Sequence, residues 1–388
     1  MWLNGVDLHR IRLTPDAIGP VSRGHPWVYA NGVMDPVPPP GQSVQLMDDR
    51  GRLVGFGLSD TGDIVVRVLS RQPDRISDLI NRRITRACDA RESLLGHQTN
   101  AYRMVNGAGD DLPGLVVDRY ESIAVIRLYG QCWQPHLDDI VTSLVTLEGI
   151  DTVIRKYGVR RVDAKDGAVV LFGPRPSDEL VVIEHGLKFL VRPYIGQKTG
   201  LFLDQRENRR TVAALSNVRN VVNLFSYTGG FSVHAAACGA QHVTTVDISE
   251  DAISDAKQNF KLNGLNPDAH TFVVTDAFKW RADQHPDVLI CDPPALSHAK
   301  TSDSAAARAY RDLAETCSKQ LNVNGLLATS SCTSRLNRTR WEQAIRDGVK
   351  RSGRWTWMCR ASEPMDHPIA VNHPEGRYLK FGILRRLR

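Results

Sequence analysis

From Ile183 onward, short apolar runs alternate with longer segments that mix apolar and polar positions. The short runs predict buried strands, and the longer segments predict the helices that connect them. This alternation is typical of a parallel sheet with crossover helices on its faces. A further helix near residues 341–351 and a final antiparallel pair of strands are expected after it. The main predicted strands are Val221–Leu224, Val243–Val246, Phe272–Val274, Val288–Cys291 and Leu326–Thr329, and the helices between them are Phe231–Cys238, Glu250–Asn263 and Ala305–Leu321.

Upstream of Ile183 the pattern changes twice. The chain up to Ser70 consists of short apolar stretches broken by glycine and proline, which predicts a small all-β module. The following segment opens with a helix that carries apolar residues at helical spacing and arginines on its other faces, and strands and a second helix follow. This order predicts a mixed α+β domain. The predicted domains therefore span residues 1–70, 71–182 and 183–388.

Length and composition agree with a folded protein of more than one domain. The chain has 388 residues, which is too long for one ordinary core. Hydrophobic residues make up 42% and charged residues 24%, the balance of a globular chain and not of a disordered one. No apolar run approaches the roughly 20 residues of a membrane helix. The N-terminal segment MWLNGVDLHRIRL has no secretion signal, so we expect a protein that is neither secreted nor inserted in a membrane.

Cysteine usage and net charge narrow the class further. The 7 cysteines contain no C-x-x-C pair, so neither a zinc site nor a disulfide framework is indicated, and no metal is expected. Scattered reduced thiols are typical of a cytoplasmic protein. The net charge of +6 and the pI near 9.0 favour a polyanionic partner such as nucleic acid, although many basic proteins bind none.

A polar or glycine-rich group follows each predicted strand, at the edge where an open parallel sheet binds its ligand. Gly229 and Gly230 allow the backbone to approach a ligand. Asp247 follows Gly229 along the chain at the spacing typical of an acid that binds ribose hydroxyls at the end of the second strand. The turn lacks the G-x-G-x-x-G pattern of dinucleotide sites and the G-K-[ST] of triphosphate sites. A cofactor with ribose and adenine but no phosphate, S-adenosylmethionine, fits best, with Asp276 accepting from the adenine amine.

The cofactor site is assigned from these strand ends. Alternatives remain for single residues, because a glycine pair often only makes a turn and Asp247 could be an acid at the start of a helix. The order and spacing of the residues together favour the cofactor. The assigned residues are Phe225, Tyr227, Thr228, Gly229, Asp247, Ile248, Asp276, Ala277 and Asp292.

A thiol and a carboxyl group follow two neighbouring predicted strands. In the motif CDPPALS, Asp292 can hydrogen-bond a flat nitrogenous base, and Pro293 and Pro294 offer the base an apolar edge. Cys332 should lie over the same edge. A thiolate that adds to position 6 of a pyrimidine makes position 5 nucleophilic toward a methyl sulfonium. Cys332 and Asp292 are therefore the predicted catalytic residues.

These two assignments also have structural alternatives. D-P-P could only end a strand, and a single cysteine is usually a small packing residue. The hydroxyl residues on both sides of Cys332 favour the nucleophile. We interpret Cys291 and Cys238 as packing residues.

The motifs GQKTGLFLDQRENRR (Gly196–Arg210), NLFSYTGG, CDPP, SSCTS and the terminal DHP and EGRYLK resemble the bacterial large-subunit 23S rRNA 5-methylcytosine methyltransferase I family. The similarity continues upstream in DDLPGLVVDRY and RGHPWVYANGV. The resemblance implies an N-terminal PUA domain, a central α+β domain, a C-terminal Rossmann-like, seven-stranded class I methyltransferase domain, and pairing as a homodimer. It also implies that Cys332 is the nucleophile and that Gln197, Lys198, Phe202 and Gln205 lie over the cofactor.

The sequence thus predicts an enzyme that transfers a methyl group from S-adenosylmethionine to carbon 5 of a cytosine in 23S rRNA, either free or partly assembled. A second hypothesis keeps the cofactor but places the methyl group on an exocyclic nitrogen, where D-P-P alone would position the amine. A third is an RNA-binding assembly factor that kept the fold without the activity.

Overall fold

The structure, a computed structural model, describes residues 8–96, 98–159, 162–196, 198–296, 303–334 and 336–388. Contacts divide the chain into two units. The first comprises Met1–Val182, Val191–Leu203 and Met365–Gly376, and the second comprises Ile183–Leu190, Asp204–Pro364 and Arg377–Arg388. The domain bounds inferred from the sequence stay a prediction.

The first unit begins with a five-stranded sheet of order β1-β3-β4-β5-β2. In β3 buried and half-buried residues alternate, as expected for a strand with one face on a core. The sheet packs with α1, a helix that the sequence prediction missed. It has Pro15 in its first turn, which suits a residue without an N–H, and it buries Val21. The elements are β1 (His9–Arg12), α1 (Pro15–Ser22), β2 (Trp27–Tyr29), β3 (Ser43–Met47), β4 (Leu53–Ser59) and β5 (Ile64–Ser70).

A second five-stranded sheet of the first unit has the order β10-β9-β8-β7-β6. Helix α2 packs on it through the apolar positions Ile76, Leu79, Ile80 and Ile84, which are all buried, so the predicted helix and its buried face are confirmed. The elements are α2 (Ile76–Glu92), β6 (Ala101–Asn106), β7 (Leu115–Tyr120), β8 (Ile123–Leu128), α3 (Leu137–Val145), β9 (Thr152–Lys156) and β10 (Ala168–Phe172). A two-stranded sheet of β11 (Leu180–Glu184) and β12 (Leu187–Val191) comes next in the chain, and most of it belongs to the second unit.

A buried ion pair of the first unit also binds a segment that is distant in the sequence. Arg91, near the end of α2, is 2% exposed and donates to both carboxylate oxygens of Asp110 at 2.7 Å. The same guanidinium donates to the carbonyl of Asp366 at 2.9 Å. Asn106 donates to the carbonyl of Pro368, also at 2.9 Å. The segment Met365–Gly376 is therefore held by hydrogen bonds to its backbone.

The second unit is built on a seven-stranded sheet of order β15-β14-β13-β16-β17-β19-β18. The strands from β13 to β17 pair in parallel, and β19 is antiparallel to both of its neighbours. The predicted Rossmann-like sheet with a final antiparallel pair is confirmed. Its strands are β13 (Asn220–Leu224), β14 (His242–Asp247), β15 (Thr271–Val274), β16 (Val288–Cys291), β17 (Leu326–Ser331), β18 (Trp355–Ala361) and β19 (Lys380–Arg386), and its helices are α4 (Arg206–Ala213), α5 (Gly230–Ala237), α6 (Glu250–Leu262), α7 (Asp303–Lys319) and α8 (Arg338–Val349).

Strand β17 and Cys238 of this unit differ from the sequence prediction. Strand β17 continues to Ser331 instead of ending at Thr329, because Ser330 and Ser331 pair with β19 in spite of their polar side chains. Cys238 is exposed, so the prediction that it packs inside is wrong. It caps the end of α5, just before Gly239 turns the chain with a φ of 85°. Cys291 is buried, as predicted.

The buried pair of Arg91 and Asp110 should contribute far more to stability than its exposed neighbour on α2. We expect Arg91→Met to lower the free energy of unfolding by about 3–5 kcal/mol, because it leaves the buried carboxylate of Asp110 without its cation. Arg86 pairs with Asp111 at 2.6 Å, but both side chains are more than half exposed. The matched change Arg86→Met should cost less than about 1 kcal/mol. Chemical denaturation measures the free energy of unfolding of both variants. Equal losses would contradict a larger contribution from the buried pair.

Candidate active site

The loop after β13 has an unusual backbone. Phe225, Tyr227 and Gly229 all have positive φ, at 58°, 48° and 77°. Only glycine adopts this conformation without cost, and each of the other two residues stores roughly 1–3 kcal/mol of strain. A Cβ on Gly229 would also lie 2.9 Å from the Cβ of Ala256. Glycine is therefore required at position 229 for two reasons, the positive φ of the backbone and the close packing of α6.

Asp247, at the end of β14, joins two loops at this edge of the sheet. Its carboxylate accepts hydrogen bonds from the backbone N–H of Tyr227 at 2.8 Å and of Ser249 at 3.0 Å. The bond to Ser249 agrees with the alternative interpretation of an acid at the start of a helix. A carboxylate has about four acceptor positions, so these two bonds leave capacity for ribose hydroxyls. The adjacent Ile248 is 73% exposed.

The end of β15 brings a second carboxylate to the same edge, because β13, β14 and β15 are neighbours in the sheet. Asp276 accepts from the N–H of Phe278 at 3.0 Å. The ring of Phe278 contacts the ring of Phe225 edge to face, with centroids 4.9 Å apart. Ala277 is buried, and so is Thr228, whose carbonyl accepts from Asn259 of α6 at 2.8 Å.

Asp292, just after β16, is held by a short chain of hydrogen bonds. The amide of Gln205 donates to Oδ1 of Asp292 at 3.0 Å, and the hydroxyl of Ser330 donates to the same oxygen. Asn208 donates to the amide oxygen of Gln205 at 2.6 Å, which orients its nitrogen toward Asp292. Gln205, Asn208 and Ser330 are all buried. The structure therefore brings Gln205, expected near the cofactor from the resemblance, to the predicted catalytic carboxyl group.

The sequence prediction missed Asn208 and the contact of Ser330 with Asp292. Asn208 lies on α4, which the apolar pattern did not reveal because the helix is largely polar. Its spacing of one helical turn from Gln205 was the available signal. The contact of Ser330 follows from the pairing of β16 with β17, which sets Cys291 opposite Thr329.

Cys332 directly follows β17 and is half-buried, unlike the fully buried Cys291 and Cys317. The thiol of Cys332 has an electrostatic interaction with Tyr310 of α7. Burial raises the pKa of Tyr310 to about 12, and the charges of Cys332 and Asp292 both act in the same direction. The thiol and the carboxyl group therefore lie within electrostatic reach of one buried hydroxyl.

The remaining predicted site residues differ in their burial and in the unit to which they belong. Pro293 is buried and Pro294 is exposed. Lys198 and Phe202 belong to the first unit, where the ammonium of Lys198 lies 4.4 Å from the centroid of the Phe202 ring. Gln197 lies outside the described residues. The roles of these residues stay predictions.

The hydrogen-bonding groups at this edge suit S-adenosylmethionine. The carboxylates of Asp247 and Asp276 follow adjacent strands and can accept from ribose hydroxyls and an adenine amine. A glycine in the left-handed region at Gly229 keeps the intervening loop tight. Carboxylates would repel a phosphate, so the arrangement favours a nucleoside without one.

Comparisons with known proteins agree with this fit. A family model described as S-adenosylmethionine-dependent methyltransferase matches residues 110–333, and a PUA-like domain model matches residues 11–71. The chain belongs to the S-adenosylmethionine-dependent methyltransferase family. The prediction of an enzyme is therefore confirmed, and so is the predicted cofactor, S-adenosylmethionine.

Relatives of this methyltransferase match it over nearly its whole length. A protein of Deinococcus radiodurans named "Ribosomal RNA large subunit methyltransferase" is 36% identical, over 97% of this chain and 97% of that protein. One of Aeromonas salmonicida named "Ribosomal RNA large subunit methyltransferase I" is 32% identical, over 94% and 96%. The family resemblance inferred from the motifs is confirmed.

Solved structures share the fold of this methyltransferase. A putative SAM-dependent methyltransferase from Streptococcus mutans is 23% identical with a TM-score of 0.86, covering 97% of this chain and 100% of that one. A putative methyltransferase complexed with SAH has a TM-score of 0.88 at the same identity and coverage. Among the described residues, no helix has the length and apolar character to cross a membrane, and no cluster of His, Cys, Asp or Glu is arranged to hold a metal ion.

Asp247→Ala should weaken cofactor binding. The change removes the predicted acceptor for the ribose hydroxyls and leaves two loop N–H groups without their carboxylate. A hydrogen bond to a charged group contributes about 1.5–3 kcal/mol, so we expect affinity for S-adenosylhomocysteine to fall about ten- to a hundredfold. Titration calorimetry measures it. The control is Asp251→Ala, an exposed acid in the first turn of α6, which should bind normally. Equal affinities for the two variants would exclude Asp247 from the site.

Proposed function

We propose that this methyltransferase methylates carbon 5 of a cytosine in 23S rRNA through a covalent adduct with Cys332. Relatives at 32–36% identity are named for the ribosomal RNA large subunit, and a PUA-like domain together with a net charge of +6 suits an RNA substrate. The observation that carries the cytosine assignment is the half-buried Cys332 at the strand end next to that of Asp292.

The proposed reaction starts with the thiolate of Cys332, which forms a bond to carbon 6 of the cytosine and shifts electron density to carbon 5. When bound, S-adenosylmethionine supplies an electrophilic methyl carbon on a positively charged sulfur. Carbon 5 takes the methyl group, and the electron pair of the broken carbon–sulfur bond stays on the donor sulfur. A base then removes the proton from carbon 5, the double bond reforms, and the bond to Cys332 breaks to return the thiolate.

Asp292 supports the adduct as a hydrogen-bond acceptor. Gln205 and Ser330 already donate to it, so its carboxylate acts as an acceptor in this network. A protonated ring nitrogen of the cytosine adduct is complementary to such a group, and its proton would compensate the charge that the thiolate brings. Because the target carbon is inaccessible in a helix, the base must be unstacked to reach this edge.

RNA binding is proposed for the first unit. The PUA-like module is joined there by an arginine stripe along α2, which consists of Arg75, the N-cap of the helix, and Arg82 and Arg86 within it. Helical periodicity places these three residues on one face, and all three are exposed. Arg82 and Arg86 pair with Asp74 and Asp111, but exposed pairs are weak and can exchange for phosphates.

The remaining predictions belong to the same proposal. It includes a cytoplasmic location, which an rRNA substrate and reduced thiols support. The domains at residues 1–70, 71–182 and 183–388 and the homodimer implied by the resemblance stay predictions.

Cys332→Ala should abolish methylation of rRNA while S-adenosylhomocysteine binds with unchanged affinity, because only the nucleophile is removed. Mass spectrometry of treated rRNA measures the product. The matched control is Cys359→Ala, which changes a half-buried cysteine on β18 and should remain active. Full methylation by Cys332→Ala would exclude the covalent route.

RNA that contains 5-fluorocytosine separates the competing hypotheses, because fluorine at carbon 5 cannot leave as a proton does. The wild-type enzyme should form a denaturation-resistant complex with it, and the Cys332→Ala variant should not. An enzyme that methylates an exocyclic nitrogen would give methylated RNA without this complex. A protein without methylation activity would indicate an assembly factor.

The arginine stripe should control RNA affinity and its salt dependence. Replacing Arg75, Arg82 and Arg86 with Gln removes up to three phosphate contacts, so the slope of log affinity against log salt should flatten by about 2. Filter binding at several salt concentrations measures it. The control replaces Arg340, Arg346 and Arg351, near α8, with Gln. It makes the same change in charge and should keep the wild-type slope. Identical slopes for both variants would exclude the stripe.

A further inference from the structure

Lys380 is a buried cation at the start of β19. Its exposed fraction is 2%, and it pairs with Ser331, the last residue of β17. Its ammonium group donates to the carbonyl of Thr333 and, at 2.8 Å, to the carbonyl of Tyr378. Ser331 and Thr333 are the two neighbours of Cys332 in the chain. The backbone on both sides of the thiol is therefore fixed against Lys380 or its strand.

The charges around Lys380 include the thiol itself. Burial lowers the pKa of Lys380 to about 8, while the charges of Glu363 and Cys332 raise it and that of Arg338 lowers it. Coulomb interaction is reciprocal, so the ammonium that gains from a thiolate also favours that thiolate. Two of the three ammonium hydrogens are bound by carbonyls. The other buried group beside the thiol, Tyr310, is neutral near pH 7, and burial raises its pKa further, to about 12.

We propose that Lys380 is a positioning residue that keeps the sulfur of Cys332 ionised in the free enzyme. The inference rests on the proposed function, since a thiolate is what the covalent route needs. Ionisation requires no further reactant: the thiol proton passes to water, which reaches the half-buried Cys332, and the ammonium remains protonated beside the sulfur. Lys380 thereby performs two tasks, holding the loop through carbonyl contacts and supplying the charge that stabilises the nucleophile.

The interaction has a limited pH range. It operates when the thiol has lost its proton and Lys380 has kept its own, and it fades as pH rises through the lysine pKa of about 8. Because the two groups are coupled, the measured midpoints belong to the pair. A lysine that only tied down carbonyl groups would leave the ionisation of the thiol unchanged.

The test is the pH profile of alkylation of the full-length free enzyme by iodoacetamide, resolved for each cysteine by mass spectrometry. In the wild type, Cys332 should react with a midpoint below that of the exposed Cys238, which serves as the internal reference. In Lys380→Met the midpoint of Cys332 should rise by about one pH unit, so that its alkylation rate at pH 7 falls by up to about tenfold. Lys380→Arg keeps the charge and should retain most of the wild-type rate.

Two results would overturn the proposal. One is a wild-type profile in which Cys332 titrates no lower than Cys238, which needs no variant and so does not depend on folding. The other is a Lys380→Met variant with a wild-type profile, even if its melting temperature falls, since that pattern assigns Lys380 a structural role alone. The assay contains no RNA. Its outcome is therefore distinct from a failure of the covalent route, which would appear as methylation by Cys332→Ala.

Discussion

The backbone pairing of β17 with β16 on one side and β19 on the other decides which side chains meet at the reactive edge of the sheet. Parallel pairing with β16 carries Ser330 to Asp292, and antiparallel pairing with β19 carries Lys380 to the residues beside Cys332. Because the side chains of a strand alternate between its two faces, a shift of one residue in either register would separate these groups. The chemistry proposed here therefore depends on hydrogen bonds of the backbone, which no side-chain substitution can replace.

The edge of the sheet divides into two electrostatic regions. At β13, β14 and β15, the carboxylates of Asp247 and Asp276 suit the uncharged, donor-rich parts of the cofactor. At β16, β17 and β19, the charges of Asp292 and Cys332 both raise the pKa of the buried Tyr310, and the charge of Cys332 also raises the pKa of the buried Lys380. The strained backbone at Phe225 and Tyr227 lies in the first region, where Asp247 helps to hold it by accepting from the N–H of Tyr227.

The first unit shows a comparable use of buried charge for a structural purpose. Arg91 satisfies Asp110 and a backbone carbonyl from the far end of the chain, so one guanidinium links α2 to the segment Met365–Gly376. The apolar stripe of α2 predicted its packing face, because Ile76, Leu79, Ile80 and Ile84 recur at helical spacing. It did not predict that Arg91 would be buried, because its carboxylate partner Asp110 lies 19 residues away and the carbonyl of Asp366 lies 275 residues away, and no local pattern encodes those contacts.

The sequence by itself determined the class of fold, the order of the strands along the chain, the cofactor and the family, because apolar periodicity and the spacing of short motifs are local properties. It also singled out Asp247, Asp292 and Cys332, since each directly ends or follows an apolar run. Only the tertiary structure decided that Gln205, Asn208 and Ser330 hold Asp292, that Cys238 faces solvent, and that Lys380 lies beside the thiol. The contacts of Asp292 with Gln205 and Ser330 and that of Lys380 with Thr333 join residues far apart in the chain, and the register of the sheet sets the positions of Ser330 and Lys380.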